Sequence, residues 1–447
     1  MPPTESDASP PDDPPPAHDA YAVIRLPNFR RYWLGNLVSV LGMQMQSVTV
    51  GWEIYQRTGK VFYLGLIGLV QVIPVFSLAL IAGHVADRLD RKRVLMAALA
   101  LSGLASLGLA AVSYFQLPVA GMFVCLFLVG VARSFLQPAK SSFLPQLVPR
   151  SIFSNAVTWS LGAFQLASVA GPALAGASVY ALGYVQIYLA QATAALFFIT
   201  MLARVQRADG QAPHEAPTLK QLGEGVSFVW NNQVVLGAMA LDMFAVLLGG
   251  ATALLPVFAK EVLHIGSLGF GFLAAAQSVG ALSMSLFLVY RPPLAHAGRA
   301  LLWSVAGFGL AIIVFGLSRS FMLSFVALAA AGACDCVSVV VRHSLVQMLT
   351  PDRMRGRVSA ISSMFISASN ELGEFESGTL ASLTSPIIAV VAGGAGTIMV
   401  VITAALRLPQ LRRFGPLDFK AEQEAAPHGA IAGAPLVEPE EPAEVGR

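Results

Sequence analysis

Apolar residues recur in long unbroken stretches between Leu34 and Leu406, and charged residues fall mainly in the gaps between them. A stretch of about 20 such residues forms a helix long enough to cross ~30 Å of hydrocarbon. The pattern predicts twelve helices, at about 33–56, 62–83, 94–115, 118–138, 153–179, 184–203, 233–258, 267–290, 299–317, 321–346, 358–382 and 386–406. A membrane β-barrel would instead alternate apolar and polar residues in segments of about 10, and these runs do not. The fold class is an all-α polytopic membrane protein.

The segments outside these runs divide the chain. Residues 1–22 are rich in Pro, Asp and Ser, and 414–447 in Pro, Ala and Glu, so both are expected to be disordered cytosolic tails. Residues 23–205 and 233–413 each hold six spans. Between them, 206–232 is a linker whose later part, from Thr218 to Trp230, has the pattern of an amphipathic helix on the cytosolic face. The N-terminal tail lacks a basic segment leading into an apolar one, so no cleavable signal is expected.

Composition agrees with this class. Only 12% of residues are charged, against about 25% in soluble chains. The net charge is only +3, but its placement is informative. With the N-terminus in the cytosol, Arg88, Arg91, Lys92, Arg93, Arg204, Arg355 and Arg357 all fall inside, whereas only Arg57, Lys60, Lys260 and Arg319 fall outside. That asymmetry places both termini in the cytosol. The three cysteines, Cys125, Cys334 and Cys336, lie within spans and lack metal-site spacing. The seven histidines form no metal-spaced pair, and no Gly-x-x-x-x-Gly-Lys-[Ser/Thr] loop is present. Direct use of ATP is therefore excluded, no metal or other cofactor is expected, and an enzyme is not the reading. Neither is a nucleic-acid partner; a monomer in the bilayer is expected.

The halves repeat. At an offset of 202 residues, Gly130, Arg133, Lys140, Gly171 and Gly176 fall on Gly332, Asp335, Arg342, Gly373 and Gly378. At an offset of 206, Asn36 falls on Asp242 and Gln71 on Gln277. Such a repeat predicts two six-helix bundles related by a pseudo-two-fold axis, with a substrate site between them. One segment breaks the symmetry. Gly83, Asp87, Arg88, Arg91, Lys92 and Arg93 form a charged knot between the second and third runs, and its counterpart near Arg291 and Arg299 lacks the acid.

This layout resembles the major facilitator superfamily, whose loop between helices 2 and 3 carries a Gly, an Asp-Arg pair and a basic cluster. Gly171-Pro172-Ala173-Leu174-Ala175-Gly176 is similar to the helix 5 motif of the superfamily's exporters, with Ala177 in place of a final Gly. Leu144-Pro145-Gln146-Leu147-Val148-Pro149 and Thr350-Pro351-Asp352-Arg353-Met354-Arg355-Gly356-Arg357 look like the branch of enterobactin exporters and drug-efflux relatives. The resemblance covers residues 25–413. It implies that helices 1, 4, 7 and 10 line a central cavity, and that Gly171, Pro172 and Gly176 prevent leak.

Charges inside membrane helices cost at least ~3 kcal/mol at the centre, so each needs a reason. Asp242 and Asp335 are expected to face the cavity, with Arg133 opposite them. Desolvation favours a neutral carboxyl and a nearby guanidinium favours a charged one, so a change of surroundings can take up and release a proton. The alternative is a permanent salt bridge between the bundles. Glu371 and Glu374 share a face at i, i+3 spacing and Glu376 points elsewhere; these acids bind protons, recognise a cation or are held by structural partners. Glu53 is expected to reach the outer interface. Asn36, Gln44, Gln46, Gln71 and Gln277 are candidate substrate contacts, with one of Gln44 and Gln46 lining the cavity. Asp87 is expected to latch onto Arg355 and Arg357 at the start of the eleventh span, closing the cytosolic side. The function expected is proton-driven export of an amphipathic small molecule, of drug or siderophore type, across the cytoplasmic membrane. Alternatives are uptake by the same fold and a membrane-embedded enzyme or sensor.

Overall fold

The computed structural model describes residues 19, 21–206, 219–290, 296–351, 354–412 and 414–415. Most of both predicted tails and the start of the linker lie outside them. Among the described residues, twelve long helices appear near the expected places. The first six are α1 (Pro27–Thr58), α2 (Phe62–Arg88), α3 (Arg91–Tyr114), α4 (Val119–Phe143), α5 (Phe153–Leu182) and α6 (Tyr184–Ala203). A linker helix (Leu219–Asn231) follows, where the amphipathic pattern predicts one. Then come α7 (Gln233–Leu248), α8 (Ser267–Val289), α9 (Ala297–Leu317), α10 (Phe321–Leu349), α11 (Arg355–Leu383) and α12 (Pro386–Arg407).

Ten spans among the described residues are long and apolar enough to cross a membrane. The other two, α1 and α11, are long at 32 and 29 residues but more polar. α1 packs on α5 and α6, and α11 on α2 and α7, so their polar groups can find protein partners.

Local chemistry explains the boundaries. Pro27 opens α1, and Gly59 ends it at φ 62, a left-handed conformation that costs glycine little. Asp90 caps α3 by accepting from the Lys92 amide at 3.0 Å. The charged knot is therefore mostly helix: α2 runs to Arg88, and only Leu89 and Asp90 separate it from α3. The seventh span is not continuous to 258 as the pattern predicts. α7 stops at Leu248, and the chain continues through a 3-10 turn, Ala251–Leu254, to a π-turn, Phe258–Val262. Gly249 and Gly250 sit at the break, where added Cβ atoms would lie 2.6 Å from Phe308 and from the Gly373 carbonyl. Two neighbouring helices press on this point, so the backbone bends.

In the first bundle, α1 packs on α5 and α6, α3 on α4 and α6, and α2 on α4. In the second, α7 packs on α11 and α12, α9 on α10 and α12, and α8 on α10. The bundles meet along two seams, α2 with α11 and α5 with α8. The symmetry read from the sequence appears in atomic detail. Gly378 lies against Gly65 in one seam and Gly176 against Gly271 in the other. Within the bundles, Gly130 lies on the Gln71 backbone and Gly332 on that of Gln277. Lipid supplies no hydrophobic drive between helices, so such close backbone contact is what holds them.

Candidate functional site

The α2–α11 seam, with α4 packed on α2, brings these three helices together. Arg133, on α4, donates from Nη1 to Oε1 of Glu371 on α11 at 2.9 Å. The same nitrogen reaches Oε1 of Gln71 on α2 at 3.2 Å. A cation of the first bundle is thus bonded to an acid of the second. The Arg133 side chain is 40% exposed and that of Glu371 12% exposed, so the bridge is open on its arginine side. Glu374 follows one turn later on the same face. Gly68 makes room for both: an added Cβ there would lie 2.6 Å from the Glu371 carbonyl and 2.9 Å from Glu374 Oε2. Glu376 is turned away and accepts from Ser377 Oγ at 3.3 Å.

The partners differ from those expected. Arg133 does not face Asp242 or Asp335. Asp242 is bonded to Arg342 on α10, within its own bundle, and the two residues are only 4% and 3% exposed. This is a buried bridge inside one bundle, not between bundles. Arg342 is long enough to cross from α10 to α7, which leaves Glu371 to Arg133. Met239, Met243, Ser362, Phe365 and Ile366 surround the buried pair. Asp335 is half-buried and makes no ion pair among the described residues.

The amides are also distributed differently. Gln46 is buried and accepts from Ser106 of α3 at 2.7 Å, so it faces away from the cavity. Gln44 donates to Ser168 of α5 at 3.1 Å. Gln71 holds Arg133, Gln277 lends its backbone to Gly332, and Asn36 is buried. Glu53 does not reach the outer interface. It is 0% exposed, pairs with Arg57 at 2.7 Å and accepts from the Tyr188 hydroxyl at 2.6 Å. A counter-charge one turn away and a hydroxyl from α6 together offset its desolvation.

The charged knot holds the first bundle together. Arg91 donates to the Ser142 carbonyl at 3.2 Å, and Lys92 to the carbonyls of Ala203 and Val205 at 3.2 and 2.9 Å. Ser142 and Ala203 are in the last turns of α4 and α6, where carbonyls lack partners within the helix, and Val205 lies just beyond α6. Arg93 lies 3.7 Å from Asp90. Gly83 is in α2 with open space beside it. The side chains of Asp87 and Arg88 lie outside the described residues. Arg355 donates to the Gln347 carbonyl at 3.2 Å. Arg357, the other expected latch residue, pairs with Glu224 of the linker helix at 2.6 Å.

The exporter-like motif forms the α5–α8 seam. A Cβ on Gly171 would lie 2.5 Å from that of Gln44, which brings α5 onto α1. The Pro172 carbonyl and Gly176 both abut Gly271.

Sequence reasoning missed one cluster. Where α1 ends, the Tyr55 hydroxyl donates to Glu261 of the second bundle, and Lys260 lies 5.4 Å from the Tyr55 ring centre. Trp52 stacks on Phe270 with centroids 4.7 Å apart. The usable signal was the adjacent Lys260 and Glu261 pair, of which only the lysine entered the charge count.

The comparisons agree with this architecture. A family model described as transmembrane secretion effector matches residues 18–429. Among curated relatives, the enterobactin exporter EntS of Shigella boydii serotype 18 is 26% identical over 393 residues, covering 87% of this chain and 93% of that protein. EntS of Escherichia coli O1:K1 is 26% identical over 396 residues, with the same shares covered. Among solved structures, a bacterial homologue of the human lysosomal transporter Spinster, inward-facing and occupied, has a TM-score of 0.66 at 14% identity, covering 86% of this chain and 96% of that one. The inward-open xylose transporter XylE of E. coli has a TM-score of 0.60 at 12% identity, covering 88% and 97%. At these identities the structures establish the fold alone.

Proposed function

The chain belongs to the transmembrane secretion effector family, and from that premise we propose that it exports an amphipathic small molecule, of siderophore or drug type, in exchange for protons. It is a secondary active transporter and a multi-pass membrane protein. The observation that carries the coupling is the Arg133–Glu371 bridge between bundles. Glu371 holds Arg133 only while it is ionised. A proton taken up by Glu371 from the outside removes that attraction, and its release to the cytosol restores the bridge in the outer-closed state. Glu374, behind Glu371 on the same face, is a second acceptor for the proton. Asp335, which has no ion-pair partner among the described residues, is a further proton or substrate contact.

With both termini in the cytosol, the Tyr55–Glu261, Trp52–Phe270, Gly65–Gly378 and Gly176–Gly271 contacts all lie toward the outer face. The outer side is then the closed one, as suits loading from the cytosol. The proton gradient is the energy source, and a proton moved down ~100 mV supplies about 2.3 kcal/mol before any pH contribution. The protein acts as a monomer in the cytoplasmic membrane.

The test is efflux of a panel of drugs and iron chelators from a pump-deficient bacterium, followed by transport into inverted vesicles. Glu371→Gln and Arg133→Gln should reach the membrane normally and lose most efflux, and a protonophore should abolish transport by wild type. Active transport indifferent to the protonophore would overturn the coupling; wild-type efflux by Glu371→Gln would remove Glu371 from it.

A further inference from the structure

Where α7 breaks, α12 supports it. Gly393 of α12 lies on the carbonyl of Leu248, the last residue of α7; an added Cβ there would be 2.1 Å from that oxygen. One turn on, the buried Thr397 hydroxyl donates to the Ala245 carbonyl at 3.2 Å. That carbonyl also accepts from the amide of Gly249, the first residue past the helix, at 2.8 Å. A side chain of the neighbouring helix thus holds a backbone group at the point where α7 turns aside.

The first bundle repeats this crossing with α1 and α6. At an offset of 206 residues, Ser39 and Gly42 fall on Ala245 and Leu248; at 202, Gln191 and Ala195 fall on Gly393 and Thr397. The helices meet at the same pair: a Cβ on Gly42 would lie 2.3 Å from Gln191 Oε1. Here, however, α1 is helical without a break from Pro27 to Thr58. Its backbone groups at the crossing are taken up by the helix itself.

Gln191 is 1% exposed, and neither the oxygen nor the nitrogen of its amide has a hydrogen-bond partner. Ser39 is 0% exposed, and its hydroxyl is unpaired as well. A buried amide left unpaired costs stability, and native chains rarely keep one without a use. An apolar side chain of similar size would avoid that cost. The amide rests against Gly42, where no side chain stands between it and the α1 backbone.

We propose that Gln191 is the positioning residue of a hinge in α1. When the bundles rock to open the outer side, α1 bends at Gly42 as α7 is bent at Gly249, and the Gln191 amide takes the backbone groups that the bend frees. Its nitrogen donates to a carbonyl in the Ser39 turn, as the Thr397 hydroxyl does to Ala245 in the second bundle. Its oxygen accepts from an amide in the turn after Gly42. Glycine eases the bend, because it gains least from staying helical. The hinge requires only that the bundles rock; the substrate, the direction of transport and the proton step do not enter.

Hydrogen exchange of the full chain in nanodiscs tests it with no gradient and no ligand, so its failure is distinct from a failure of proton-driven export. Gln191→Met keeps the size of the side chain and removes the amide. It should slow exchange of amides 42–46 about tenfold relative to wild type, the effect of one hydrogen bond lost from the bent form. It should also raise the unfolding temperature, because the straight helix no longer carries an unpaired group. Gly42→Ala, whose methyl presses on the movable end of Gln191, should slow the same amides by stiffening the helix. An amide that only held the fold together would give the opposite result in Gln191→Met, a lower unfolding temperature with faster exchange at 42–46. That result, or unchanged exchange at 42–46 in both variants, would overturn the proposal.

Discussion

At the residue scale, Asp242 and Glu371 differ mainly in how dry their bridges are. Asp242 and Arg342 are nearly sealed, whereas Arg133 is 40% exposed. Removing one partner of a sealed pair strands the other charge and costs about 3–5 kcal/mol, whereas replacing both by apolar groups of similar size is often neutral. We therefore expect Arg342→Met to lose roughly that amount, and Asp242→Leu with Arg342→Met to recover most of it. Denaturant unfolding of the purified protein checks this; equal losses in the single and double variants would contradict it. The Arg133–Glu371 bridge is more open at its arginine end, so it should contribute less to stability than the sealed pair. Its importance should appear in transport, not in unfolding. That separation suits a bond that must break in every cycle.

At the element scale, the seams depend on glycine. A Cβ on Gly176 would lie 2.5 Å from the Ser267 carbonyl and 2.7 Å from the Gly271 Cα, and one on Gly378 would lie 2.5 Å from the Gly65 Cα. These neighbours are backbone atoms and cannot swing aside. Gly176→Val should wedge α5 away from α8 and leave the outer side ajar. Spin labels at the outer ends of the two helices should show a longer, broader distance, and vesicles containing the variant should leak substrate. An unchanged distance would mean that the seam tolerates bulk. The linker helix is a different kind of contact. Its Glu224 and the Arg357 partner are 49% and 25% exposed, and exposed pairs contribute about 0.2–1 kcal/mol. Glu224→Gln should leave the unfolding midpoint almost unchanged.

At the scale of the whole molecule, the Tyr55–Glu261 contact joins the bundles far from the central bridge. If the bundles rock against each other, this contact must open once per cycle. Cysteines at positions 55 and 261 should cross-link under mild oxidation, stop transport, and release it again on reduction. Transport that persists in the fully cross-linked protein would show that the outer ends need not separate. The short Asp90-capped turn between α2 and α3, with Arg91 and Lys92 tied to the ends of α4 and α6, makes the first bundle one stiff body. Such stiffness lets a local change at Glu371 be felt at the outer face.

The sequence by itself determined the twelve helices, their two-fold repeat and the residues available for chemistry. The physical reason is the bilayer: each span must satisfy its backbone internally, so length and apolarity are written locally. Gly176 and Gly378 were legible in the repeat, but their contacts with Gly271 and Gly65 were not. Only the tertiary structure decided which charge meets which. Arg133, Arg342, Asp242 and Glu371 all appear as candidates along the chain, yet pairing depends on crossings between helices as many as 238 residues apart. Glu53 shows the same limit: a buried acid and a surface acid look alike until Tyr188 and Arg57 are seen beside it.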